Sequence, residues 1–254
     1  MRKITINLAA VAAFCIVVAS PALVSSSCAT PQTEQEDTTI IREDLGITAL
    51  KYSSPEVPSS IEFCGKVIDL SRFDRHERMD RELLAFTYMH STSLQMLKKA
   101  NRYFPIVEPI LKENGIPDDF KYLMVIESNM NPTARSSAGA AGLWQFMQGT
   151  GRDYRLEVNN NVDERYHIEK ATRAACRYLK DAYAKYKDWV AVAASYNAGQ
   201  ARIASQLAKQ DVDDSLDLQL VEETARYVYR ILAAKQLFSA PTTFGFRLRA
   251  SDLY

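Results

Sequence analysis

A mostly α-helical single domain is the fold class that the sequence predicts, on three observations. Beyond about residue 67 the apolar residues recur at helical rather than alternating spacing, so each segment has one face to bury. The breaks between those segments carry Pro, Gly and Asn, which stop and start helices. And 254 residues, 47% hydrophobic and 24% charged, suffice for one buried core with a leader and a lead-in to spare.

At the N-terminus, Arg2 and Lys3 precede an apolar run over 8–18 that is too short to span a bilayer, which predicts an export signal over 1–28. Ser25-Ser26-Ser27-Cys28 closes it, either as a signal peptidase site or as a loose lipobox with Cys28 as the acylated residue. A strict lipobox prefers Leu where Ser25 stands. Residues 29–66 are rich in Thr, Ser, Glu and Pro and read as a polar tether. Helices are expected at 80–99, 102–114, 118–127, 144–150, 168–187, 189–198, 200–209 and 220–238. Asn114-Gly115-Ile116-Pro117 is a stop followed by a start, and Asp118 and Asp119 load the next first turn with favourable negative charge. Some β character at 61–72 and 241–248 points to a small flanking hairpin. Residues 67–247 make the folded domain and 248–254 a short tail.

Charge and composition exclude several functions. Lys+Arg and Asp+Glu both number 31, so no basic excess draws nucleic acid or a generally anionic surface. His76, His90 and His167 show no paired ligand spacing, so neither a metal nor another cofactor is expected. Cys15 and Cys28 fall in or at the leader; Cys64 and Cys176 remain, either as a disulfide or as buried thiols.

The chemistry points to one carboxyl group. Phe120, Leu123 and Met124 mark the buried stripe of their helix, and Glu127 continues it at i+7, i+4 and i+3. Burial and the negative end of the helix dipole both raise its pKa, which suits a general acid. A buried Glu satisfied by Arg or backbone amides fits the helix equally well. Between helices, Ser136-Ser137-Ala138-Gly139-Ala140-Ala141-Gly142 lets the backbone approach a ligand, and Gln145 sets an amide among Trp144, Phe146 and Met147. Trp144 and Phe146 read best as core. Tyr196 and Asn197 end an apolar helix before Gly199, a candidate left-handed cap, so Asn197 by itself reads as a capping residue. Glu222 and Glu223 open the last helix, where acids are expected anyway.

Taken together, these segments resemble the signature of the family 1 lytic transglycosylases. The likeness rests on Glu127-Ser128, Asn131-Pro132, Ala134, Ser136, Gly139-Ala140, the run from Gly142 to Met147, and Thr150, then on Tyr196-Asn197-Ala198-Gly199, Glu223-Thr224 and Tyr227-Val228. Val162-Asp163-Glu164-Arg165, Ala174-Ala175 and Tyr178-Leu179-Lys180 look most like the membrane-bound transglycosylase D subfamily. Tyr166-His167-Ile168 departs from the Asp-Pro usual after that Arg, and the chain reaches Tyr254 without the LysM modules that many relatives carry. The resemblance implies a goose-type lysozyme-like domain acting on peptidoglycan glycan strands during cell-wall turnover, and the chain is expected to be an exported monomer of the periplasm or cell envelope, membrane-anchored if Cys28 is acylated. It implies Glu127 as acid and base, and Ser128, Ser136, Gln145, Met147, Tyr196, Asn197, Glu223 and Tyr227 as substrate-binding residues, with Glu223 supporting developing positive charge. The product would be a 1,6-anhydromuramoyl end. A muramidase that uses water, or a non-catalytic wall-binding module, are the alternatives.

Overall fold

The computed structural model describes residues 54–254; the leader, Cys28 and the tether up to residue 53 lie outside the described residues. Among the described residues the chain opens with a hairpin, β1 (Ser60–Phe63) and β2 (Lys66–Asp69), paired antiparallel with Ile61 opposite Ile68 and Phe63 opposite Lys66. Its two-residue turn is Cys64-Gly65, at φ 53° and 84°; positive φ at both positions matches the strand twist. Ile61, Phe63 and Ile68 are buried, so residues 60–66, expected in the tether, belong to the packed body. The alternation of buried and exposed residues in β1 overrides the polar composition around it.

Eight α-helices follow: α1 (Phe73–Tyr88), α2 (His90–Glu113), α3 (Phe120–Ser128), α4 (Gln148–Asp153), α5 (Ile168–Tyr186), α6 (Trp189–Ala198), α7 (Gln200–Lys209) and α8 (Glu222–Ser239). The mostly α expectation holds, and α5 to α8 lie close to where the periodicity predicts them. The first two helices differ. The expected break near 100 is absent, and the chain breaks at Met89 instead. Pro105 and Pro109 both lie inside α2, four residues apart on its exposed face, while Tyr103, Val107, Ile110 and Leu111 bury the other. Burial of that face outweighs the amide donors the prolines lack.

The segment 241–248 is not a strand. Pro241 opens a short 3-10 turn, Pro241–Phe244, and Phe244 and Phe246 anchor it in the core. A proline at that point supplies no ladder donor. Asp118 and Asp119 precede α3 without capping it: Asp118 pairs with Lys121, and Asp119 pairs with Lys235 at 2.8 Å and accepts from the Cys64 amide at 2.7 Å. The acids tie helix start, hairpin and α8 together. Cys64 and Cys176 are free thiols, as one of the two alternatives had it.

α8 is the element around which the site is built, packing against α1, α3 and α6. α6 buries Val190 to Ala194 on every side, as a helix without a polar face must. α3 and α6 therefore lie inside the fold, and their C-terminal ends carry Glu127 and Tyr196-Asn197 to a common region beside α8.

Candidate active site

α3 buries Phe120, Leu123 and Met124 completely, as the spacing predicts. It ends abruptly after Ser128, because Asn129 and Met130 take left-handed conformations at φ 48° and 57°. Two successive non-glycine residues in that region are strained and persist only where the surroundings hold them, here through fully buried Met130. Glu127 is thereby left partly buried on the last turn. Its carboxyl is raised to about 7: burial drives the rise, the Tyr227 hydrogen bond and the Arg230 charge oppose it, and Glu223 adds to it.

Tyr227 on α8 donates its hydroxyl to Glu127 Oε1. Burial, then the Glu127 charge, push the phenols of Tyr227 and Tyr196 well up, so both remain protonated donors. The Tyr196 hydroxyl is committed to the Trp144 carbonyl at 2.7 Å, and its ring packs on Phe146 and Tyr178 with centroids 6.2 and 5.1 Å away. Tyr196 thus pins the loop that carries Gln145. Asn197 does not cap its helix: its amide donates to Glu223 Oε1 at 3.3 Å, and its carbonyl accepts from Thr224 Oγ1 at 2.8 Å. Glu223 itself is exposed. Gly199 closes α6, its amide donating to the Ser195 carbonyl, at φ 86° and ψ 142°, a positive-φ conformation that favours glycine but lies outside the left-handed helical region.

The loop before α4 is not the helix expected at 144–150. Trp144 is fully buried and donates Nε1 to Thr172 Oγ1 at 2.9 Å, and Ala141 bridges both Arg135 and Phe146. These anchors hold Gln145 at φ 48°, where its Nε2 donates to the carbonyls of Gly142 at 2.8 Å and Ala134 at 3.2 Å. Ser136 is exposed, and its Oγ accepts from the Ala140 amide at 3.0 Å. Met147 is 45% exposed, a large apolar side chain turned to solvent where α4 begins. Ser128 is buried and gives its hydroxyl to the Met124 carbonyl at 3.3 Å, which uses it within α3. Ser128 is thus set apart from the other candidates, whereas Glu127, Tyr227, Tyr196, Asn197 and Glu223 are linked through direct bonds or shared electrostatics.

Three residues carry functions that the sequence reading did not assign. Arg230, three residues after Tyr227 and seven after Glu223, places a positive charge near Glu127; that i+3 and i+7 spacing was the available signal. Thr224 is buried and orients Asn197. Arg165, only 5% exposed, pairs with Asp163 at 2.7 Å and donates Nη1 to the carbonyls of Gly139 at 2.8 Å and Phe146 at 3.0 Å. It locks both ends of the small-residue loop. Nothing in local spacing shows a clamp across that many residues. Among the described residues, no group of three or more His, Cys, Asp or Glu is placed to hold a metal ion.

Residues 105–217 match the family model described as the transglycosylase SLT domain, a span that includes α3 and α6 and stops before α8. The membrane-bound lytic murein transglycosylase D of Escherichia coli (strain K12) is 29% identical over 181 residues, covering 69% of this chain and 39% of that protein. The membrane-bound lytic murein transglycosylase C of Haemophilus ducreyi is 30% identical over 150 residues, covering 53% of this chain and 40% of its own length. Among solved structures, an inactive mutant of the lytic transglycosylase Slt from Pseudomonas aeruginosa is similar with a TM-score of 0.46 and 20% identity, over 61% of this chain and 28% of that one. The chain spans about two fifths of the length of the two curated relatives. Over residues 105–217 the chain is similar to the transglycosylase SLT domain, and over 69% of its length it is similar to the membrane-bound lytic murein transglycosylase D.

Proposed function

We propose that the chain is a peptidoglycan lytic transglycosylase that cleaves the β-1,4 bond between N-acetylmuramic acid and N-acetylglucosamine without water. The observation that carries the reading is Glu127, a single carboxyl raised to about 7 and hydrogen-bonded by Tyr227. Near neutrality such a group is populated in both forms, and both are needed. In the acid form, Glu127 gives its proton to the glycosidic oxygen as the bond to C1 breaks. In the carboxylate form, it takes the proton of the C6 hydroxyl as O6 bonds to C1. The strand ends as a 1,6-anhydromuramoyl residue and Glu127 regains its proton.

The remaining candidates support that cycle. Glu223, held by Asn197, supplies negative charge for the positive charge that develops at C1. Ser136, Gln145 and Met147 offer polar and apolar surface along the loop, the mixture that sugar edges and faces call for. Homology to membrane-bound murein enzymes favours action in the cell envelope, and acylation of Cys28 would hold a monomer at a membrane there.

Glu223 favours one competing reading. It is an exposed carboxylate close enough to raise Glu127, and a second carboxylate is what a water-using muramidase would employ. Mass spectrometry of soluble products from purified murein, beside a Glu127→Gln control, separates the readings. Anhydro ends that vanish in the control are expected. Reducing ends would establish the hydrolase, and absence of products with retained murein binding would establish a binding module.

A further inference from the structure

Away from Glu127, one pocket gathers four cations in a chain whose net charge is zero. Arg155 and Leu156 follow α4; Lys170, Arg173 and Arg177 come from one face of α5 at i, i+3 and i+7; Glu164 is the only carboxylate in the lining. Glu164 is already engaged, by the Lys170 ammonium and by the Glu157 amide. Arg173 reaches outward to Glu113 at 2.8 Å, with both side chains largely in solvent. Among the described residues neither Arg155 nor Arg177 pairs with a carboxylate, and Arg177 donates instead to the Tyr154 carbonyl.

Two independent features make this more than a solvated face. The Arg177 Nε is buried and has no acceptor, which a folded protein rarely tolerates without a partner to come. Arg155 stands at φ 66°, a left-handed conformation that costs a side-chain-bearing residue about 1–2 kcal/mol and that glycine would adopt freely. Its neighbour's environment agrees: burial, then the charges of Arg155 and Arg173, pull the Arg177 guanidinium below its ordinary value. Arg155 and Arg177 are thus like charges brought together with no carboxylate paired to either among the described residues.

We propose that the pocket bounded by Arg155, Lys170, Arg173 and Arg177 is an oxyanion-binding site that takes a carboxylate or phosphate group of a ligand. Guanidinium groups present paired donors that match either anion. The site shares no residue with the Glu127 constellation, so its occupancy is separable from catalysis. Glu164 adjoins Arg165, whose guanidinium clamps the loop before α4, so the pocket and that loop share one short segment.

The test is an NMR titration of arginine Nε–Hε resonances in the full chain, with inorganic phosphate and separately with succinate, at ionic strength held constant with sodium chloride. The Arg177 resonance, assigned by its loss in Arg177→Lys, is expected to move and saturate. Saturation by phosphate alone identifies a phosphate-bearing ligand; saturation by succinate identifies a carboxylate. In Arg155→Gly the affinity should fall about tenfold, the worth of one charge-assisted hydrogen bond, with a thermal midpoint unchanged or raised because the strain is relieved. Shifts that stay linear with both probes, or binding that survives Arg155→Gly undiminished, would overturn the proposal.

Discussion

Glu127 has its acidity set by opposing neighbours, and the consequences run through stability as well as through the proposed catalysis. Folding raises its carboxyl from 4.5 to about 7, so between those values the native chain keeps a proton that the unfolded chain has lost. Stability is therefore whole below the unfolded value and declines as pH climbs through 7. Glu127→Gln cannot ionise. The variant should match the wild type at pH 4 and exceed it by roughly 3 kcal/mol above pH 7, read from urea unfolding at the two pH values. A gap that does not change with pH would mean that ionisation of Glu127 is not the source. Tyr227→Phe removes the donor that favours the carboxylate, so the carboxyl should rise further. The alkaline limb of the pH–activity profile should then move up by about one pH unit, which a measurement of murein solubilisation from pH 5 to 9 would show. The core-facing position of Glu127 was legible from helical spacing, whereas its role as acid and base rested on the resemblance. Arg230 was not assigned, because spacing shows that it shares a face with Tyr227 but not that α3 packs beside that face.

At the scale of elements, the segment between α3 and α4 is a loop secured by others. A Cβ at Gly142 would lie 1.9 Å from the Arg165 carbonyl oxygen, and Gly142 stands at φ 76°. Gly142→Ala should therefore cost more than about 3 kcal/mol, seen as a loss of the unfolding midpoint and, if the chain still folds, of activity. The run of small residues from Ser136 to Gly142 was readable as a close-approach segment. That it continues as a turn through Phe146, and does not become helix at 144, was not: buried Trp144, the Ala141 bridges and Arg165 decide it through contacts distant in sequence. The same reason explains α2, where a long buried face carries the helix past Pro105 and Pro109. Local signals sufficed for α5 to α8, because each has its stops and its apolar stripe within its own length.

Over the whole molecule, the geometry at Glu127 depends on how α8 is seated. Glu82 of α1 is 2% exposed and receives Arg226 of α8 at 2.7 and 3.2 Å, with Arg81 at 3.4 Å beside it. Arg226 lies one residue before Tyr227, so this pair ties the far side of the same turn. Arg226→Ala would leave a buried carboxylate with Arg81 alone, and a loss of about 3 kcal/mol is expected in urea unfolding. A second fastening joins the segment after α7 to α1: Asp214 and Asp217 both hold Arg75, at 2.7 and 3.0 Å, while Ser215 donates to Asp188 at 2.6 Å. From the sequence alone came the helical class, the order of most helices, the buried acid and the resemblance that named its companions, because periodicity, caps and motif order are properties of neighbouring residues. Only the tertiary structure decided that Tyr227 bonds Glu127, that Asn197 serves Glu223 rather than its own helix end, that Ser128 turns inward, and that α2 runs through two prolines. Those outcomes depend on which surfaces meet, and burial is a sum over the whole chain that no single segment contains.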